Sequence, residues 1–260
     1  MKPRSIEQLE RRVPRRRPMP YTARDEKLIT EMMGVAGFIT YDPDHVIVLV
    51  SGAKTHVYVR GRSETTDHPG FMHQIGRKIE DVVWQESCSV RQPCIIGVPD
   101  AATPLAVATS TASFTGRCGR LGSTIACRIM HKSPKAHGAD EKRWVDGTPN
   151  HQAHEYFLLE NVITTGGTVI DAAKHLLDDG YCLEDVTCLV FVDREQGGIE
   201  TIERGVPWTN EKDQEELRTF RRVVAIYRLT KLVSAFGEMN LWPPEHVAAV
   251  HQEIHATTVR

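Results

Sequence analysis

The chain has 260 residues, is 40% hydrophobic and 25% charged, and carries a formal net charge of −2. That length can bury one substantial core, and the near-neutral balance excludes a global electrostatic drive towards nucleic acid or an anionic membrane. No apolar run approaches the roughly 18 residues a membrane span needs, and the N-terminus lacks a signal peptide's apolar stretch, so the expected location is the cytoplasm.

Residues 1–24 carry Lys2, Arg4, Arg11, Arg12, Arg15, Arg16, Arg17 and Arg24 against Glu7 and Glu10, and are broken by Pro14, Pro18 and Pro20. They read as a flexible basic arm. Any contact with nucleic acid would run through this arm, although it lacks interleaved aromatics and a solvated tail is the plainer reading. Asp25 to Gly34 then spaces Leu28, Ile29, Met32 and Met33 as one face of a helix. Val46 to Val50 and His56 to Arg60 are β-rich runs around Ser51, Gly52, Ala53 and Lys54, which predicts a β-hairpin. Phe71 to Trp84 repeats apolar residues at amphipathic helical spacing. Cys94 to Val98 is a short buried strand ended by Pro99, and Leu105 to Ala112 begins the next helix.

Thr124 to Met130 is a further strand. His131 to His154 is long, polar and charged, with Gly138, Gly147, Lys132, Lys135, His137, Lys142 and Arg143. Loops of this length are usually functional or disordered, so the basic residues suggest a lid that closes on an anion, with a plain solvated loop as the alternative. Next come the apolar run Tyr156 to Leu159, the polar Glu160 and Asn161, the loop Thr164, Thr165, Gly166, Gly167 and Thr168, and then Val169, Ile170, Ala172 and Ala173 at helical spacing. Strand, tight turn and helix follow in that order. Hydroxyls, glycines and a helix N-terminus converge on one point, an anion cradle. The loop has neither the lysine of the Walker pattern nor the glycine spacing of the dinucleotide fingerprint.

Val186 to Val192 is a strand ending at Asp193 and Arg194, and the pattern is helical from Ile199 to Arg204. Val206 to Thr219, polar and containing Pro207, reads as an inserted loop. Arg222 to Leu229 is a strand, Lys231 to Phe236 starts a helix, and Glu245 to His255 is a helix following Pro243 and Pro244. His251 and His255 stand four residues apart, a spacing open to metal, but no third ligand is fixed nearby. The six cysteines form no C-x-x-C pair and read as reduced thiols, most of them packed as small hydrophobes. Strands alternating with helices argue for an α/β fold with a mainly parallel sheet flanked by helices. Ligands bind such sheets beyond the carboxyl ends of the strands. Pro99 to Pro104, His131 to His137, Glu160 to Thr168 and Asp193 to Gly198 fall there, on one rim.

The stretch from Tyr156 to Thr168 closely resembles the phosphoribosyl-pyrophosphate (PRPP) motif of type I phosphoribosyltransferases: apolar residues, a usually acidic pair, two apolar residues, then T-T-G-G-T. Three other stretches resemble the orotate members of that family. They are DREQGG (Asp193 to Gly198), the lid HKSPKAHGADEKRWVDG (His131 to Gly147), and GVPDAATPLA (Gly97 to Ala106) together with the hairpin VSGAKTHVYV. The similarity runs in register from about Val46 to Phe236.

The resemblance implies a type I phosphoribosyltransferase-like fold over 25–242, with an N-terminal helix and β-hairpin as a hood, a long mobile lid, and a C-terminal helix over 243–260. It implies transfer of phosphoribosyl from PRPP to orotate, giving orotidine 5'-monophosphate and pyrophosphate, with magnesium and a homodimer. Carried over residue by residue, Thr164, Thr165, Gly166, Gly167 and Thr168 bind the 5-phosphate, and Glu160 and Asn161 face the ribose hydroxyls. Lys132, Lys135 and His137 grip pyrophosphate, with Lys135 and His137 closing the lid. Arg194 meets the orotate carboxylate, which suits a planar guanidinium. No metal-ligating protein residues are expected. The chain departs from the family at Asn161 (for aspartate), His131 (for arginine), Ala136 (for aspartate), Asp100 (for tyrosine) and Val50 (for lysine). Two alternatives therefore stay open: another acceptor base, or a non-catalytic regulator that binds PRPP or nucleotide.

Overall fold

The computed structural model describes residues 23–34, 37–49, 52, 54–60, 66–87, 90–116, 124–134, 143–210 and 212–258. The basic arm therefore lies almost wholly outside the described residues. So do Val50 and the lid residues Lys135, Ala136, His137 and Lys142.

The centre is a five-stranded sheet of β5 (Gln92–Gly97), β6 (Ala126–Ile129), β7 (His154–Ile163), β8 (Val186–Asp193) and β11 (Arg222–Arg228), in the order β11-β8-β7-β5-β6. Every pairing in it is parallel. Such sheets are covered on both faces, so their strands read as continuous apolar runs. Accordingly every residue of β8 is buried. β7 runs four residues past the expected end at Leu159, because the polar Glu160 and Asn161 are themselves buried in the strand.

Helices α2 (Pro69–Glu86), α3 (Thr103–Gly116), α4 (Gly167–Asp178), α5 (Gly198–Arg204) and α6 (Leu229–Glu238) connect the strands or follow the last of them. Two more, α1 (Ala23–Gly34) and α7 (Pro244–Thr258), lie near the ends of the described chain. The periodicity of α2 explains its packing: Phe71, Ile75, Ile79, Val82 and Val83 form its buried face. Two buried charges near the ends of the sheet are paired. Asp25 of α1 accepts from Lys78 at 2.5 Å and from the Tyr227 hydroxyl at 2.7 Å, which ties α1 to α2 and β11. At the amino ends of the strands, Glu155 pairs with Arg221 and accepts from Ser87 at 2.6 Å. The described cysteines Cys94, Cys127, Cys182 and Cys188 are free thiols. Burial pushes Cys94 up to about 12 and Cys127 up to about 11, so both are inert hydrophobes.

Two expectations need correction. The N-terminal β-region is not one hairpin but two antiparallel pairs, since β1 (Ile39–Tyr41), absent from the sequence reading, pairs with β4 (Val57–Val59). The turn joins only β2 (Ile47–Val48) and β3 (Lys54–Thr55). The segment Val206 to Thr219 is not a loop but a ribbon of β9 (Val206–Thr209) and β10 (Glu215–Arg218). Asn210 shapes its turn, accepting from Lys212 N–H at 2.8 Å and Gln214 N–H at 3.1 Å. In a two-stranded ribbon each strand has a free edge, which is where Pro207 is tolerated.

Candidate active site

The parallel register aligns the carboxyl ends of the strands. Gly97 stands opposite Leu159 and Ile129, Ile163 opposite Asp193, and Asp193 opposite Arg228. The loops expected on one rim therefore follow neighbouring strand ends.

The turn between β7 and α4 follows the expected order of strand, tight turn and helix. Gly166 caps the helix in the left-handed region at φ 90°, and a Cβ there would lie 2.9 Å from the Gly198 carbonyl. Only glycine combines that backbone with that closeness. Thr165, Gly167 and Thr168 are exposed at the amino end of α4, where free N–H groups and the helix dipole favour an anion. The Thr168 hydroxyl donates to Glu160 at 2.8 Å. Glu160 also accepts the Asn161 N–H at 2.8 Å and is 4% exposed. Burial raises its carboxyl from the ordinary 4.5 to about 7, against the lowering effect of those hydrogen bonds. Asn161 is 8% exposed beside it.

The turn after β8 is built on the same plan, with Gly197 capping α5 at φ 84°. The Arg194 N–H donates to the Ile163 carbonyl at 3.1 Å, locking this turn to its neighbour. Glu195 reaches away and accepts the Thr230 N–H at 2.8 Å. Arg194 is 3% exposed. Its Nη2 donates to Thr55 Oγ1 at 3.1 Å and to the Val57 carbonyl at 3.0 Å, while its buried Nε–H has no partner. Burial pulls its pKa down to about 10, with Glu253 opposing.

A cleft of about 350 Å³ is lined by Asp100, Thr103, Pro104, Ile129, Met130, His131 and Lys132, and Lys132 pairs with Asp100 across it. His131 Nε2 is 3.0 Å from Asp146. The described residues after 142 are anchored: Met130 bridges Val145, Trp144 stacks on His175 at 3.4 Å between ring centroids, and Asp179 accepts the N–H groups of Trp144 and Val145.

The structure thus joins Glu160 to Thr168 and Lys132 to Asp100, and sets Arg194 against the hairpin. Lys135 and His137 lie outside the described residues. Sequence reasoning missed Thr55 and Glu253, the groups around Arg194. Thr55 could have been noticed within VSGAKTHVYV, whereas Glu253 carried no local signal. Among the described residues no group of three or more His, Cys, Asp or Glu is placed to hold a metal ion, and His251 instead meets Ser234 at 3.2 Å. No helix among them is long and apolar enough to cross a membrane.

No family model matches the chain. It is 31% identical over 160 residues to the orotate phosphoribosyltransferase of Thermosynechococcus vestitus, an alignment covering 61% of this chain and 77% of that one. The chain belongs to the orotate phosphoribosyltransferase family. This family member is also 30% identical over 175 residues to the uridine 5'-monophosphate synthase of Caenorhabditis elegans, covering 66% of this chain but only 31% of that longer protein. Among solved structures, UMP synthase of Leishmania donovani superposes with a TM-score of 0.61 at 18% identity, over 90% of this chain and 42% of that one. The fold is that of type I phosphoribosyltransferases, as the resemblance implied.

Proposed function

We propose that the chain is a cytoplasmic, homodimeric orotate phosphoribosyltransferase, comprising a catalytic domain over 25–242, a basic arm over 1–24 and a closing helix over 243–260. The observation that carries this reading is Arg194. It is a nearly buried guanidinium at the end of β8, beside the glycine turn, with an Nε–H that has no partner. Orotate differs from uracil and from the purines in carrying a carboxylate, and a carboxylate satisfies that donor.

Under this reading the N–H groups of Thr164 to Thr168 hold the 5-phosphate of PRPP, and Glu160 and Asn161 face the ribose hydroxyls. Arg194 orients orotate so that N1 meets the anomeric carbon. The N1–C bond forms as the C–O bond to pyrophosphate breaks. Pyrophosphate leaves with the electron pair, and the N1 proton is released. The sugar passes through a cationic state, so positioning and a nearby ionised Glu160 supply the catalysis. Lys132, Lys135 and His137 receive pyrophosphate, and Lys132 must exchange Asp100 for it. Closure over the rim by Lys135 and His137 excludes water that would hydrolyse the donor. Magnesium, a hard cation, would enter on the oxygens of the diphosphate and ribose. When bound, it neutralises phosphate charge.

The test is incubation of the purified chain with magnesium, PRPP and orotate, following loss of orotate absorbance and release of pyrophosphate. Turnover that disappears in Lys135→Ala supports the enzyme. PRPP binding by calorimetry without turnover favours a second reading, a regulator that binds PRPP or nucleotide. Asn161 motivates that reading, because it lacks the charge that would stabilise a cationic sugar. Asn161→Asp should then restore measurable turnover.

A further inference from the structure

Thr55 is 1% exposed, and its hydroxyl oxygen meets four polar groups. These are the Val57 N–H at 3.0 Å, Arg194 Nη2 at 3.1 Å, the Val57 carbonyl at 3.2 Å, and the carboxylate of Glu253 from α7, which is the nearest. A hydroxyl has one proton and two lone pairs. Both N–H donors need a lone pair, so the proton must go to Val57 or to Glu253. The carboxylate is the nearer and stronger acceptor, and it takes the proton. The Val57 carbonyl accepts from Arg194 Nη2 at 3.0 Å. The other oxygen of Glu253 accepts the His56 N–H at 3.1 Å and lies 3.1 Å from His56 Nδ1.

Resting on the orotate reading above, we infer that Glu253 is a positioning residue of the acceptor site, fixing the direction of the Thr55 hydroxyl so that Arg194 is gripped by Nη2 and presents Nε to a planar carboxylate. α7 thus belongs to the site although the family resemblance stops near Phe236. A glutamine at 253 would keep its carbonyl on the His56 N–H and turn its NH2 group towards Thr55. Three donors would then compete for the two lone pairs of the hydroxyl, whose proton turns to the Val57 carbonyl, and Arg194 Nη2 would lose Thr55 as an acceptor.

Steady-state kinetics of the full chain with Glu253→Gln, Thr55→Val, Thr55→Ser and Arg194→Lys tests this, with thermal unfolding measured in parallel. Glu253→Gln and Thr55→Val should raise the KM for orotate about tenfold, the scale of one hydrogen bond to a charged group, while kcat and the KM for PRPP change little. Thr55→Ser keeps the hydroxyl and should behave as wild type. A lowered Tm in Glu253→Gln with an unchanged KM for orotate would mean a merely structural contact and overturn the inference. If Arg194→Lys raises that KM in the same experiment, the orotate reading still stands. A wild-type chain that neither turns over nor binds orotate overturns both.

Discussion

The turns after β7 and β8 share one backbone plan and are covered differently. Each follows a parallel strand, is capped by a left-handed glycine and opens a helix on a second glycine, and they touch through Gly166 and the Gly198 carbonyl. The first is left open, with Thr165, Gly167 and Thr168 exposed, so its N–H groups can receive a phosphate. The second is covered by Thr55 and Val57, and its arginine is held from above. The backbone thus supplies the same platform twice, and under the proposed function what packs over it decides whether main chain or side chain would meet the ligand.

The most damaging way to break the pair is at their contact. A Cβ at Gly198 would lie 2.5 Å from the Thr164 carbonyl and 2.7 Å from an Ile163 side-chain carbon. Gly198→Ala should therefore cost about 3 kcal/mol in denaturant unfolding, since backbone cannot yield as a side chain can.

Beneath the open turn, the Glu160 carboxyl stands at about 7 against an ordinary 4.5. The folded chain therefore holds this proton more tightly than the unfolded one. The stabilisation is complete below pH 4.5 and is lost as pH rises through about 7. Glu160→Gln should be more stable than wild type at pH 8, by up to about 3 kcal/mol, with the gap closing towards pH 4.5. Wild-type kcat should rise with pH through about 7 as the carboxylate ionises, and the glutamine variant should lose that rise.

At the covered turn, Arg194→Ala should weaken orotate binding by about 2 kcal/mol in calorimetry and leave PRPP binding intact. An equal loss for both ligands would erase the division of labour between the turns. The smallest effect is expected at Gly167, where a Cβ would meet nothing within 4 Å. Gly167→Ala should unfold within about 0.5 kcal/mol of wild type.

The central strands and the glycine turn were legible because their signals are local: apolar runs and a hydroxyl-glycine loop at the mouth of a helix. The end of β7 was not, since Glu160 and Asn161 look like loop residues until Thr168 and the N–H beside Glu160 are seen to satisfy the carboxylate. The ribbon at 206–219 was hidden by Pro207, whose exclusion from strands does not extend to a free edge. Arg194 was legible as a residue, but its holders were not. Thr55 lies 139 positions away, and Glu253 lies 198 positions from Thr55, with no pattern joining them.

Those long separations also order events during synthesis. The ribosome delivers Thr55 early and Arg194 much later. The turn between β7 and α4 can be complete while the hydroxyl beside Arg194 still lacks its carboxylate, which emerges only with residue 253. Under the function proposed above, a nascent chain would mature its grip on the sugar donor before its selectivity for the acceptor. On that reading, the choice of base would be the last part of the site to be set in a growing polypeptide.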